Sequence, residues 1–167
     1  MTLKLRAVEP QDADLFYRAE NDMEAWDHSD SLAPFSMHLL REYAENYRAD
    51  PVTDGQLRLI IEEKENRQTI GILDLYDISF IHGRAFVGIY ILPELRRNGY
   101  ALEAIEVGVA YARRRLGLRI LGAKILANNY GSIELFHKAN FLKGGTLPDW
   151  HISDGCSVDM FIVYRFI

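Results

Sequence analysis

One cysteine in 167 residues, Cys156, removes internal disulfides and any zinc site built from several thiolates. No run of about 18 apolar residues exists, so a membrane-spanning helix is not expected. The start, Met1-Thr2-Leu3-Lys4-Leu5-Arg6, lacks the apolar stretch of a secretory signal. A reduced, cytoplasmic compartment is the expectation that follows. Nothing is low in complexity, and 49% of residues are hydrophobic against 26% charged, which suits one globular domain over residues 1–167. A sustained basic and aromatic stripe is also missing, and with a pI near 5.5 a nucleic-acid partner is disfavoured.

The charge is unevenly placed. Residues 1–83 hold 8 Lys/Arg and 17 Asp/Glu, a net of −9, whereas residues 84–167 hold 11 and 7, a net of +4. Such halves favour ligands of opposite sign, an anionic cofactor on one side and a cationic acceptor on the other. Two solvated faces that differ in sign would look the same.

Periodicity supplies the elements. Residues 3–8 alternate like a half-buried strand, and Pro10 with Asp12 opens a helix through about Asn21. Residues 21–35 read as loop and carry Trp26, His28 and Phe35. Ser36 is the expected N-cap of a helix with Leu39, Leu40, Tyr43 and Tyr47 at helical spacing, and Pro51 follows its end. Residues 57–63 and 68–78 read as strands, and residues 85–92 as an almost continuously apolar central strand. A long helix over about 100–116 buries Ala101, Ala104, Ile105, Val109 and Ala112. A strand over 119–127, a short helix over 130–139, and a hairpin of 142–151 and 156–166 turning at Ser153-Asp154-Gly155 complete the chain. Phe141 is expected to begin the strand after the short helix. This order predicts an α/β (α+β) class, a mixed sheet with helices on both faces.

Chemistry concentrates in Arg96-Arg97-Asn98-Gly99-Tyr100-Ala101, between the buried strand and the long helix. A helix N-terminus offers unpaired N–H groups and partial positive charge, Gly99 permits a tight turn and close approach, and two arginines add charge. A diphosphate is the natural guest, although an ordinary turn with exposed arginines has the same composition. The segment is neither a P-loop, lacking the Gly-Lys-Ser/Thr ending, nor a three-glycine dinucleotide fingerprint.

Arg96-x-x-Gly99-x-Ala101 resembles the acetyl-CoA loop of the GNAT N-acetyltransferases, Arg/Gln-x-x-Gly-x-Gly/Ala. The segment Asn129–Phe141 is similar to that family's Asn-x-x-Ala/Ser…Tyr…Lys-x-Gly-Phe. The resemblance implies a GNAT-like single domain, a mixed and mostly antiparallel sheet of about seven strands. It implies acetyl-CoA as co-substrate and no metal. Backbone N–H groups of residues 97–101, beside Arg96, would hold the pyrophosphate, and the backbone of Ile91 and Leu92 would pair with pantetheine like an added strand. Asn129 would hydrogen-bond that arm and Ser132 would be a second contact, while Asn129 also suits an N-cap. Many members have a Tyr that protonates the departing thiolate where Phe136 stands, and a Gly where Asn140 stands. Asn tolerates the left-handed conformation after a helix.

Acetyl transfer needs a neutral amine, hence a group that takes a proton. Glu20, Asp22, Asp27, His28, Asp74 and Asp77 are candidates. Asp74 lies in the otherwise apolar run Gly71–Ile78 and would suit a base if its face lines the cleft, or is a solvent-facing residue if not. His28 beside Trp26 is a second candidate, and Tyr90 leads Tyr130 and His137 as a donor to the thiolate. The stretch from Leu75 to Pro93 is similar to spermidine acetyltransferases, and the missing Tyr is shared with relatives of ribosomal-protein N-terminal acetyltransferases. The acceptor is therefore expected to be a polyamine, another small amine or a protein N-terminus, met by direct transfer in a ternary complex. A CoA-binding module with little or no turnover is the alternative. A homodimer through the terminal strands is compatible with either, and no membrane partner is expected.

Overall fold

The computed structural model describes residues 1–26, 31–153 and 155–167. Alternation along the strands divides the core into two layers. In β2 (Leu57–Glu63), Leu57, Leu59 and Ile61 join one apolar cluster and Ile60 the other. In β3 (Thr69–Ser79), Leu73 and Leu75 face the first layer and Ile72 the second. With β1 (Leu3–Arg6), β4 (Arg84–Ile91), β5 (Ile120–Leu126), β6 (Leu142–Ser153) and β7 (Cys156–Phe166) they form a seven-stranded sheet in the order β1-β2-β3-β4-β5-β7-β6. Only the β4–β5 pair is parallel, and every other pair is antiparallel. The expected mixed, mostly antiparallel sheet is what the chain forms.

One face is covered by α5 (Tyr100–Leu116) and α6 (Tyr130–Lys138), which bring Ala104, Ile105, Val109, Ala112 and Phe136 to the larger cluster. Gly108 lets α5 lie close, because a Cβ there would stand 2.6 Å from Leu73 Cδ1. The other face is covered by α1 (Ala13–Glu20) and α3 (Met37–Asn46), through Leu15, Phe16, Leu40 and Ala44. Ser36 caps α3 as expected, its hydroxyl accepting from the Leu39 N–H at 3.1 Å.

Three boundaries differ from the sequence reading. The presumed loop over 21–35 contains a short helix, α2 (Met23–Trp26), because Asp22 accepts from the Glu24 N–H at 3.0 Å and acts as a cap. Pro51 follows the end of α3 as expected, and is itself the first residue of a further short helix, α4 (Pro51–Asp54), with Asp50 accepting from Val52 and Thr53. Phe141 precedes β6 and packs in the core instead of beginning the strand. Asn140 takes φ +60, and the bonds Asn140 N–H to His137 O and Phe141 N–H to Phe136 O close a Schellman turn on α6. Among the described residues no helix is long and apolar enough to cross a membrane.

Candidate active site

The loop after β4 departs from regular structure in the way a ligand-facing turn requires. Pro93–Leu95 forms one 3-10 turn, Arg97 takes φ +64 and Gly99 takes φ +83 before α5 begins. Arg97, Asn98 and Gly99 are exposed. Gly99 offers no side chain to cap α5, so the first-turn N–H groups are left for a ligand or solvent. A Cβ at Gly99 would meet no described atom within 4 Å; the glycine is required by its φ and by whatever lies outside. Tyr100 and Ala101 contribute backbone there, while their side chains pack against the larger cluster.

Arg96 and Arg97 part company. Arg96 donates to Asp22 at 2.8 Å, to Glu24 at 2.9 Å and to the Ile91 carbonyl at 3.1 Å, and stands 5.6 Å from the Tyr90 ring centroid. Its guanidinium ties the loop to α2 and is already committed to carboxylates. Arg97 makes no ion pair with a described residue.

The second feature is a splay. β4 and β5 pair only over Arg84–Phe86 and Ile120–Gly122, then separate while each keeps its other neighbour. The opening is a cavity of about 370 Å³ whose walls include Gly88, Ile89, Lys124, Asn129, Ser132 and Phe136. Leu92 N–H donates to Ile70 O at 3.0 Å, so by ladder alternation the even residues of β4 turn their polar groups to β3. The backbone groups of Ile89 and Ile91 are the ones aimed at the opening; Leu92, expected beside Ile91, spends its N–H in the sheet. Asn129 caps α6, its Oδ1 accepting from the Ser132 N–H at 3.0 Å, and lines the cavity as well. Phe136 is buried, edge-on to Phe141 at 4.9 Å, and reaches the cavity without a polar atom.

On the opposite face, the sheet register sets Arg58 across from Asp74. Arg58 donates to both Asp74 oxygens at 2.9 and 2.8 Å and to Glu20 at 2.8 Å, with the Phe16 and Tyr43 rings at 5.4 and 5.7 Å. Burial works against its charge, but the two carboxylates outweigh burial and hold it firmly protonated. Asp74 is thus an ion-pair partner rather than the free, desolvated base the apolar run suggested. Tyr90 donates to Asp22 at 3.1 Å; burial first, then the Asp22 charge, push its phenol up to about 12. A hydroxyl so engaged is poorly placed to protonate a thiolate. Tyr130 and His137 are exposed and do not line the cavity. Asp27 and His28 lie outside the described residues. Sequence reasoning missed Arg58, Tyr76, Gly88 and Lys124, whose positions depend on strand pairing. Tyr76 touches both the cleft and a second cavity of about 400 Å³ lined by Tyr43, Tyr47, Arg58 and Asp74.

Comparisons with known proteins agree with this geometry. Residues 2–142 match the family described as the acetyltransferase (GNAT) domain, and the chain belongs to that family. It is 34% identical over 103 residues to the uncharacterised N-acetyltransferase YoaA of Bacillus subtilis, a match covering 62% of this chain and 58% of YoaA. It is 30% identical to the uncharacterised N-acetyltransferase p20 of Bacillus licheniformis, over 96% of this chain and 90% of p20. Its fold is that of spermidine N-acetyltransferase from Vibrio cholerae solved with CoA and spermine, at TM-score 0.84, 23% identity, 99% of this chain and 95% of the other.

Proposed function

We propose that the chain is an acetyl-CoA-dependent N-acetyltransferase that moves the acetyl group directly to a primary amine, with a polyamine or similar small cation as acceptor. The observation that carries the reading is the β4–β5 splay, which opens beside the uncapped start of α5. In this reading the N–H groups of residues 97–101, with Arg97, hold the pyrophosphate, and Ile89 and Ile91 pair with pantetheine along the free edge of β4. Asn129 and Ser132 close the cavity from the α6 side and Phe136 packs against the arm. Bound acetyl-CoA supplies a thioester carbonyl open to attack by a neutral amine.

The acceptor side is acidic. Glu20, Asp22, Glu24, Asp74 and Asp77 are set against Arg58, Arg96 and Lys124, five carboxylates to three cations. That balance supports a cationic acceptor, and the fold shared with an enzyme solved with spermine points the same way. Self-association through the terminal hairpin belongs to the same proposal, since Leu142, Trp150 and Ile152 on β6 are 60%, 63% and 65% exposed.

Thermal melting with acetyl-CoA, CoA and ATP tests the cofactor. A ligand at 100 times its Kd adds about 2.7 kcal/mol, which for a domain this size is roughly 5–10 °C. The expected result is a shift with acetyl-CoA and none with ATP, followed by thiol release with polyamines ahead of N-terminal peptides. No shift at millimolar acetyl-CoA would reduce the loop to a turn and end the enzyme reading.

A further inference from the structure

Aminolysis of a thioester leaves a sulfur anion, and an anion in a cleft partly shielded from water is costly without a counter-charge. The titratable groups around the cleft are Tyr76, Lys124 and His151. Burial first, then the nearby Asp77 and Asp74, push the Tyr76 phenol up to about 12, so it stays neutral and brings no counter-charge to the sulfur. His151 is on β6, separated from β5 by β7. Lys124 is on β5 itself and is the one lysine or arginine among the described residues around the cavity. Extending the Phe86–Gly122 register by two residues sets Gly88 opposite Lys124 across the splay.

Lys124 is held by two rings and by one exposed carboxylate. Its ammonium lies 4.6 Å from the Phe86 ring centroid and 5.6 Å from that of Tyr76. Asp77, turned toward it by a bulge at φ +49, is 3.3 Å away and 59% exposed. The groups facing it are thus Asp77 and Tyr76 from β3 and, across the cavity, His151 from β6; Phe86 of β4 and Met160 of β7 are apolar.

We propose that Lys124 is the catalytic cation of the transfer, pairing with the CoA sulfur as it leaves. This rests on the acetyl-CoA reading above. The acceptor nitrogen's lone pair forms the new N–C bond, and the C–S bonding pair departs on sulfur. The sulfur anion, paired with Lys124, takes up through water the proton shed by the acceptor nitrogen. One amide and one thiol result, with no net change in protons.

The test titrates the thiol of bound CoA by its ultraviolet thiolate absorbance in wild type, Lys124→Arg and Lys124→Met, with occupancy fixed by calorimetry. A cation at about 4–6 Å lowers a neighbouring acid by about 1–3 pKa units. At a pH below both titrations, wild type and Lys124→Arg should therefore show about tenfold more bound thiolate than Lys124→Met. Turnover should fall in Lys124→Met at unchanged KM for acetyl-CoA, and Lys124→Arg, which keeps the charge, should recover most of it. CoA bound by all three proteins with one common thiol titration overturns the proposal alone. A wild type that binds no CoA overturns the cofactor reading beneath it.

Discussion

The two sides of the β4 strand are organised by opposite means. On the cofactor side, a local run from Leu92 to Ala101 makes the site out of backbone: a 3-10 turn, two left-handed residues and a helix start. On the acceptor side the work is done by side chains far apart in sequence, Glu20 with Arg58 and Asp74, and Asp22 with Tyr90 and Arg96. A site built from backbone dipoles presents unpaired donors to a ligand of fixed charge. A site built from ion pairs spends its charges on itself and leaves a small residual field. The comparison implies that damage on the acceptor side should first cost stability, and damage on the cofactor side should first cost binding.

The largest expected effect breaks the acceptor side. Arg58→Met leaves Glu20 and Asp74 without their shared cation, and removing the donor from such a half-buried network costs about 2–3 kcal/mol, a fall in Tm of roughly 5–10 °C. Unchanged melting would show that the two carboxylates are solvated without Arg58. Gly99→Val breaks the other side. Its φ of +83 makes any side chain strained, at about 1–2 kcal/mol, yet the larger loss should be in CoA affinity, about 100-fold or more by calorimetry. A variant that melts early but binds CoA normally would move the ligand away from the loop.

The adjacent arginines sharpen the contrast. Arg96→Gln should cost about 1–2 kcal/mol in denaturant unfolding, because Asp22, Glu24 and Ile91 lose a donor together. Arg97→Gln should stay within about 0.5 kcal/mol of wild type while weakening CoA. The smallest effect is in pH. Burial works to raise the Asp22 carboxyl, but hydrogen bonds from Tyr90 and Arg96 overcome it and hold the folded value below the usual carboxylate range. A depressed carboxyl gives stability that is present above the unfolded pKa, about 3.9, and is lost as pH falls through the folded one. Asp22→Asn should flatten that acid limb of the unfolding curve; an unchanged limb would assign it to other carboxylates.

Much of the framework was legible. The Ser36 cap, the start of α5 at Tyr100 and the left-handed Asn140 follow from residues within a turn of one another. The short helices α2 and α4 are not legible because their starts are ambiguous alone: aspartate sits in loops or caps helices, and proline follows one helix or begins another. Asp74 was misread for a different reason. An acid inside an apolar run looks unpaired until β2 is laid beside β3 and Arg58 falls opposite it.

By itself the sequence determined most of the elements and the glycine turn before α5, since both depend on spacing within a few residues. Only the tertiary structure decided which charges remain available. Arg96, Asp74 and Tyr90 are tied to partners 16 to 74 residues away, while Lys124, paired with the exposed Asp77, lies beside the cleft. Strand register and helix packing set those distances, and no local pattern encodes them.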